Sequence, residues 1–194
     1  MVRLIMQMFS LLVLGSVLAG SAMADPLSDA QKAYSVGSYA KALDLYTPLA
    51  KRGDANAQLG LGVMYYLGQG VTQSYKDAAK WFQRSAEQGN FLAQDILGEM
   101  HDQGLGVPQD YQQAAKWYRL AAEQGDANAQ YNLGIMYARE LGVPQDFVLA
   151  YMWMSLSTKF PEELALVAKQ MSPEQIARAR ERATQCTAQR FRGC

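Results

Sequence analysis

The sequence has little of the side-chain chemistry that most metal and catalytic sites use. It contains one histidine, His101, and two cysteines, Cys186 and Cys194, which lie close together near the C-terminal end. A zinc site needs three or four His, Cys or carboxylate ligands at characteristic spacing, and this set cannot supply a His/Cys centre. We therefore predict no catalytic residue, no metal and no cofactor.

The sequence also lacks an excess of either charge, since it has 18 basic and 18 acidic residues. This balance excludes a general electrostatic attraction to nucleic acid or to an anionic membrane surface. Hydrophobic residues make up 49% of the chain and charged residues 19%, which excludes the disordered and fibrous classes. One globular or solenoid domain is expected.

Long apolar runs are missing except near the N-terminus. Residues 1–24 combine one cation, Arg3, with the apolar run "FSLLVLGSVLA" and a closing "AMA" that ends at Ala24. This order is typical of a secretory signal peptide, so we predict cleavage after Ala24 and a periplasmic or secreted protein. The alternative is an uncleaved membrane anchor. Lipid attachment is excluded because Ser21 follows "LAG", where a cysteine is required.

The dominant positive feature is an internal repeat with a step of 36 residues. The pentapeptide "GVPQD" occurs at 106–110 and 142–146, and a looser copy, "GVTQS", occurs at 70–74. Whole blocks align around these loops without a gap. They span residues 55–90, 91–126 and 127–161. A fixed period of this length indicates an array of one structural unit.

Each block has the pattern of a helical hairpin. In its first half, apolar residues at Ala57, Leu61, Met64 and Tyr65 form one helical stripe, and the second half repeats the pattern. The pentapeptide is predicted to be the turn between the helices, because proline stops the first and the residue after glutamine caps the second. The predicted N-cap residues are Asp54, Ser74, Asn90, Asp110, Asp126 and Asp146, and the predicted helix-ending glycines are Gly53, Gly68, Gly89, Gly104 and Gly125.

The shared motifs are Ala-x-Ala-Gln, Leu-Gly-x-Met-Tyr, Gly-x-Gly-Val-Pro-Gln-Asp, Ala-x-x-Trp-Tyr and Ala-Glu-Gln-Gly. With these motifs, residues 55–160 resemble the Sel1-like repeat (SLR) family of exported bacterial type, which is related to the tetratricopeptide repeat. The resemblance implies an all-α fold, a right-handed α-solenoid of antiparallel helical hairpins. It also implies a non-enzymatic adaptor with a protein or peptide partner.

The two ends depart from the repeat. Residues 25–54 resemble a plain tetratricopeptide hairpin and are predicted to be an N-terminal cap. The third block is degenerate, since Glu140 replaces a turn glycine and Pro161 interrupts its end. Residues 162–194 are predicted to be a C-terminal helical cap, with a helix that begins after Ser172. Terminal units of solenoids are atypical because they cover an otherwise exposed apolar face.

The cysteines and the arginines give the C-terminal cap two further predictions. Cys186 and Cys194 are expected to form a disulfide, because they lie close together in a chain predicted to be exported. This pairing requires the chain to leave the helix and fold back between them. An anionic partner is an alternative to a solvated helix face for the arginine-rich end, which contains Arg178, Arg180, Arg182, Arg190 and Arg192.

Two recurring aromatic positions are interpreted as packing sites. His101 occupies the place of Tyr65 and Tyr137 in the neighbouring blocks, which favours packing over an acid–base role. A tryptophan stands at the same place in the second helix of each block, at Trp81, Trp117 and Trp153. Recurrence at one structural position favours the core over a ligand site.

Comparison of the blocks predicts where a partner binds. Positions that repeat faithfully are required for packing between hairpins, whereas variable positions on the first helix are available for recognition. At offsets of 0, 4 and 7 they form one face, which in tetratricopeptide-like arrays is the concave groove. The predicted partner-binding residues are Leu59, Val63, Tyr66, Asp95, Glu99, Asp102, Tyr131 and Ile135. The alternative is that these solvent-facing positions vary without functional reason.

Two functions from different classes remain open. The first is an exported scaffold that mediates protein–protein interactions in the bacterial envelope through its concave surface. The second is an envelope hydrolase or a protein that binds cell wall or β-lactam, an activity linked to cysteine-rich exported members of the resembled family. Those members carry a cysteine pair in each repeat, whereas the three repeats of this sequence contain no cysteine.

Overall fold

The computed structural model describes residues 25–159, 161–191 and 193–194. Within these residues the secondary structure consists of ten α-helices and no strand. The helices are α1 (Pro26–Ser35), α2 (Tyr39–Lys51), α3 (Ala55–Leu67), α4 (Tyr75–Glu87), α5 (Phe91–Gln103), α6 (Tyr111–Ala122), α7 (Ala127–Arg139), α8 (Phe147–Ser157), α9 (Pro161–Ala168) and α10 (Pro173–Ala188).

The described residues divide into two compact units, one that ends at Gln88 and one that begins at Gly89. In the first unit, each helix from α1 to α4 packs against the next one along the chain. In the second unit the same order runs from α5 to α8, and both α9 and α10 pack against α8. The fold is thus the predicted one, all-α and built from helical hairpins of the α-solenoid class.

Helix starts follow the predicted capping pattern. The side chains of all six predicted N-cap residues accept hydrogen bonds from backbone N–H groups in the first turn of their helices. Ser172 caps α10 in the same way, and Gln175 donates its backbone N–H to Ser172 and accepts the Ser172 N–H in return. These bonds satisfy N–H groups that have no partner within the helix.

The glutamine of each pentapeptide closes the loop between the helices of a repeat. Its side-chain Nε2 donates a hydrogen bond to a backbone carbonyl seven residues earlier, in the last turn of the first helix. The three bonds run from Gln73 to Tyr66 (2.9 Å), from Gln109 to Asp102 (2.7 Å) and from Gln145 to Ala138 (3.0 Å). The pentapeptide therefore recurs because every hairpin needs the same helix cap, the same turn and the same side-chain hydrogen bond across the loop.

The third repeat keeps this turn without its glycine. Gly68 and Gly104 end α3 and α5 in the left-handed conformation, each with a φ of 70°. Glu140 ends α7 with a φ of 57°. A left-handed conformation costs a residue with a Cβ atom about 1–2 kcal/mol. The geometry of the repeat thus overrides the local preference of Glu140.

The tryptophan positions are packing positions, as predicted. Trp117 and Trp153 are buried, whereas Trp81 is half-buried and carries the Arg84 guanidinium 4.7 Å from its ring. The first-helix stripe is also buried at Ala57, Leu61 and Met64 and at the equivalent residues of the other repeats.

The glycine in the middle of each first helix permits close approach of the second helix. A Cβ atom added at Gly98 would lie 2.7 Å from Cδ1 of Tyr118, a buried ring. We predict that Gly98→Ala lowers the free energy of unfolding by about 1–3 kcal/mol, the usual cost of overpacking. Helix propensity alone would predict a gain of about 0.5–1 kcal/mol, so urea denaturation distinguishes the two by sign.

A matched double variant isolates the contact behind this prediction. In Gly98→Ala with Tyr118→Leu, the smaller side chain leaves room for the new methyl group. The two substitutions are therefore expected to be less destabilising together than the sum of their separate effects. Additive losses would contradict a clash between Gly98 and Tyr118.

The C-terminal end folds back as the predicted disulfide requires. Helix α10 ends at Ala188, and Arg190, Phe191 and Gly193 adopt positive φ values of 52°, 65° and 71°. This reversal brings the Cα atoms of Cys186 and Cys194 to 5.3 Å, and the bridge is formed.

The predicted signal peptide, residues 1–24, lies outside the described residues. In the part of the chain that the structure describes, no helix is both long enough and apolar enough to cross a membrane.

Candidate partner-binding site

The first repeat departs from the predicted open face. Leu59, Val63 and Tyr66 of α3 are 2%, 1% and 6% exposed, so the prediction of an accessible face is wrong for these three residues. The Tyr66 ring packs edge to face against Tyr75, with ring centroids 5.0 Å apart, and lies 6.4 Å from the Phe82 ring. Apolar and aromatic side chains at these variable positions join the core instead of facing a partner.

The second repeat carries three carboxylates on one face of α5. Asp95, Glu99 and Asp102, here called the acidic row, are all half-buried, and their spacing of four and three residues aligns them along the helix. Tyr118 of α6 lies behind them and is 2% exposed. Burial raises the pKa of Tyr118, and the charges of Asp95, Asp102 and Glu99 add to the rise. The Tyr118 hydroxyl therefore lies in the electrostatic field of the whole acidic row.

Asp95 is the most constrained member of the acidic row. Its Oδ1 is buried and makes no hydrogen bond within the described residues. Burial raises the pKa of Asp95 well above its usual range, and the negative charges of Asp126 and Glu99 raise it further. Lys159 opposes this rise, and its Nζ donates a hydrogen bond to Oδ1 of Asn128 at 2.6 Å.

Asp126 is a neighbour that the sequence pattern does not reveal. It caps α7 by accepting the backbone N–H groups of Asn128 and Ala129. Burial raises the pKa of Asp126, while these two hydrogen bonds oppose the rise. The folded chain thus places two carboxyl groups, those of Asp95 and Asp126, in each other's field, although they are distant in sequence.

The other two carboxylates of the acidic row face different surroundings. Glu99 accepts a hydrogen bond from Nε2 of Gln103 at 3.0 Å, yet burial raises the pKa of its carboxyl group. Burial also raises the pKa of Asp102. All three carboxyl groups are therefore partly desolvated, and a cation that displaces the remaining water would favour their ionised forms.

The third repeat contributes the mixed surface that the sequence predicts. Tyr131 and Ile135 of α7 are half-buried and pack against the hydrophobic core of the second unit. Burial raises the pKa of Tyr131, the charge of Glu163 adds to the rise and Arg139 opposes it. The second unit thus carries both the acidic row and a partly exposed aromatic and aliphatic pair.

His101 lies on α5 in partly desolvated surroundings. It is half-buried, and burial lowers its pKa, which the Pro108 carbonyl and Asp110 oppose. In the described ranges, no group of three or more His, Cys, Asp and Glu side chains is arranged to hold a metal ion.

A cavity lies beside the disulfide. Its volume is about 200 Å³, and its lining includes Met152, Arg182, Gln185 and Gln189. One arginine of the C-terminal group therefore faces a recess.

The repeats match a known sequence family. The profile of the Sel1 repeat matches residues 55–90, 92–126 and 127–159, which together make up more than half of the chain. No curated protein is significantly similar to the chain in sequence.

Two solved structures are similar in both fold and sequence. A protective antigen of uropathogenic Escherichia coli strains, which displays an SLR fold, is 32% identical with a TM-score of 0.71. The match covers 87% of this chain and 40% of the antigen. A Sel1 repeat protein from Oxalobacter formigenes is 33% identical with a TM-score of 0.66, over 76% of this chain and 45% of that protein. The chain thus spans less than half the length of either.

Proposed function

The chain belongs to the Sel1 repeat family, and from this membership we propose that it is an exported scaffold that binds a protein partner through α5 and α7. Sel1 repeat scaffolds typically mediate protein–protein interactions, and helical repeats offer extended binding surfaces. Families with this fold are generally non-enzymatic, so we assign binding and not catalysis to this chain.

The proposal rests on one contrast between positions of the same helix. In α5, the faithfully repeated residues Ala93, Leu97 and Met100 are at most 1% exposed. The variable residues Asp95 and Glu99 remain partly open to solvent. Side chains that packing does not require, yet that carry charge at a half-buried surface, are candidates for recognition.

Two features support the proposal of export to the bacterial envelope. The sequence of residues 1–24 has the order of a secretory signal peptide. The disulfide between Cys186 and Cys194 belongs to a class of bond that persists in oxidising compartments such as the periplasm and the extracellular space. Together they favour a periplasmic or secreted scaffold.

Position-specific photo-cross-linking in the native host tests the binding face. A photoreactive phenylalanine analogue at Glu99 or at Tyr131 is expected to form an adduct with one discrete protein. The reason is that both side chains lie on the proposed face and are partly exposed.

Lys116 provides the matched control, because it is an exposed residue on α6 of the same hairpin as Glu99. The analogue at Lys116 is expected to give no adduct with that protein. Adducts of equal yield from all three positions, or from Lys116 alone, would contradict binding through α5 and α7.

A further inference from the structure

The acidic row contains a buried acceptor atom that the described residues leave without a hydrogen bond. This atom is Oδ1 of Asp95. A buried acceptor without a partner costs free energy, and the charges of Asp126 and Glu99 add to the cost of ionising Asp95. A cationic donor brought to this position would satisfy the acceptor and favour the ionised form of the carboxyl group.

Within the described residues, the one cation that acts on Asp95 meets this need only in part. Lys159 acts on Asp95 electrostatically, but its ammonium group is hydrogen-bonded to Asn128. Glu99 has an uncharged partner, Gln103. The acidic row is therefore complementary to positive charge from outside the chain.

The spacing of the acidic row distinguishes a basic segment from a metal ion. Asp95 and Asp102 are seven residues apart, which is about 10 Å along a helix. In the described residues the acidic side chains do not converge on one point as metal ligands would. A peptide in the polyproline II conformation rises about 3.1 Å per residue with three residues per turn, so basic side chains three residues apart lie on one face and match the two ends of the row.

The charge is also confined to one repeat. The positions equivalent to Asp95, Glu99 and Asp102 hold Leu59, Val63 and Tyr66 in the first repeat and Tyr131, Ile135 and Ala138 in the third. Of these, Tyr131 and Ile135 lie partly exposed in the same unit as the acidic row. A partner segment that has apolar residues beside its basic ones would suit this unit.

We propose that the acidic row binds a basic segment of the protein partner, with Lys or Arg side chains about three residues apart. This inference deepens the proposed function and rests on it. The carboxylates bind the cations and Asp95 provides the most desolvated contact. Tyr131 and Ile135 provide the adjoining apolar surface.

Fluorescence anisotropy with two synthetic peptides tests the proposal on the full chain at low salt. The first is a labelled heptapeptide with lysines at positions 2 and 5 and tyrosine beside each. The second has glutamates at those positions. The lysine peptide is expected to bind at least about tenfold more tightly than the glutamate peptide, and less tightly as salt is added.

The decisive variant combines Asp95→Leu, Glu99→Gln and Asp102→Asn. It is expected to lose the preference for lysine, so that the affinities for the two peptides become similar. The matched control, Asp29→Asn with Asp44→Asn and Glu87→Gln, removes three exposed carboxylates from the first unit. It is expected to keep at least about tenfold discrimination, because its change in net charge is the same but the acidic row is intact.

The single variant Asp95→Leu separates recognition from folding. It installs the residue that the first repeat has at this place and removes a buried acceptor atom that has no hydrogen bond within the described residues. The variant is expected to unfold at or above the temperature of the natural chain while binding the lysine peptide more weakly. A marked fall in unfolding temperature would overturn the assignment, because Asp95 would then be a structural residue.

Failure of this inference is distinguishable from failure of the proposed function. If the natural chain does not prefer lysine, or if the triple variant keeps the preference, the acidic row is not the basic-segment site. Adducts from Glu99 and Tyr131 in the cross-linking experiment would then still support a partner on this face, but one of different chemistry.

Discussion

Trp153→Ala is expected to lower the free energy of unfolding by about 3–5 kcal/mol, the range for removing a large aromatic side chain from a core. Trp153 is 2% exposed and belongs to α8, the helix against which α7, α9 and α10 all pack. Its side chain belongs to the hydrophobic core of the second unit, so truncation leaves a cavity there. Urea denaturation followed by far-UV circular dichroism measures the loss.

Trp81→Ala is the matched control, since Trp81 holds the same place in the first repeat but is only half-buried. Less apolar surface returns to water there, so the loss is expected to be clearly smaller, about 1–2 kcal/mol. Equal losses for the two variants would contradict the difference in burial between these positions.

Removing the disulfide is expected to lower the free energy of unfolding by about 2–3 kcal/mol, because a cross-link restricts the unfolded chain. The variant is Cys186→Ser with Cys194→Ser, which opens a loop with a sequence separation of eight. Anchoring of the tail adds to the effect, since the Phe191 ring lies against Gly125 in the turn before α7. Denaturation in urea with and without reductant gives the size of the loss.

The double serine variant supplies its own control, because reductant is expected to destabilise the natural chain and to leave the variant unchanged. Thiol titration of the denatured, unreduced protein is expected to find no free thiol. Two free thiols in protein isolated from its native compartment would show that the bridge does not form there.

The helices were predictable because their signals are local. An N-cap such as Asp54 or Ser74 acts on N–H groups two or three residues away, and the apolar stripe follows from the helical period. Because the unit recurs at a step of 36 residues, each of these signals appears three times, which makes the hairpins recognisable. The disulfide was predictable for the same reason, since two cysteines close in sequence need little more than one chain reversal.

The role of the pentapeptide glutamine was not predicted, although a signal for it existed. Gln73, Gln109 and Gln145 recur at a position where neither the turn nor the cap needs that residue. Their hydrogen bonds reach back seven residues, beyond the range of capping rules. A polar residue that recurs in every repeat without a capping or turn function therefore indicates a side-chain hydrogen bond to backbone outside its own turn.

The binding face was predicted in part, and its error has a physical cause. Helical offsets place Leu59, Glu99 and Tyr131 on repeat-equivalent faces, but they do not state how much of each face is covered. Leu59 is buried, whereas Glu99 and Tyr131 remain partly exposed. The burial of a residue depends on side chains from several helices, and the pattern within one helix does not describe those neighbours.

The sequence by itself determined the repeat unit, its helices and their turns, because each depends on contacts between residues close along the chain. The tertiary structure alone decided which variable positions stay accessible and what surrounds Asp95. Asp126, at the start of α7, and Lys159, just after the end of α8, act electrostatically on Asp95. They lie 31 and 64 residues further along the chain. Charge interactions depend on distance and burial and not on sequence separation, so that site exists only after the hairpins have packed.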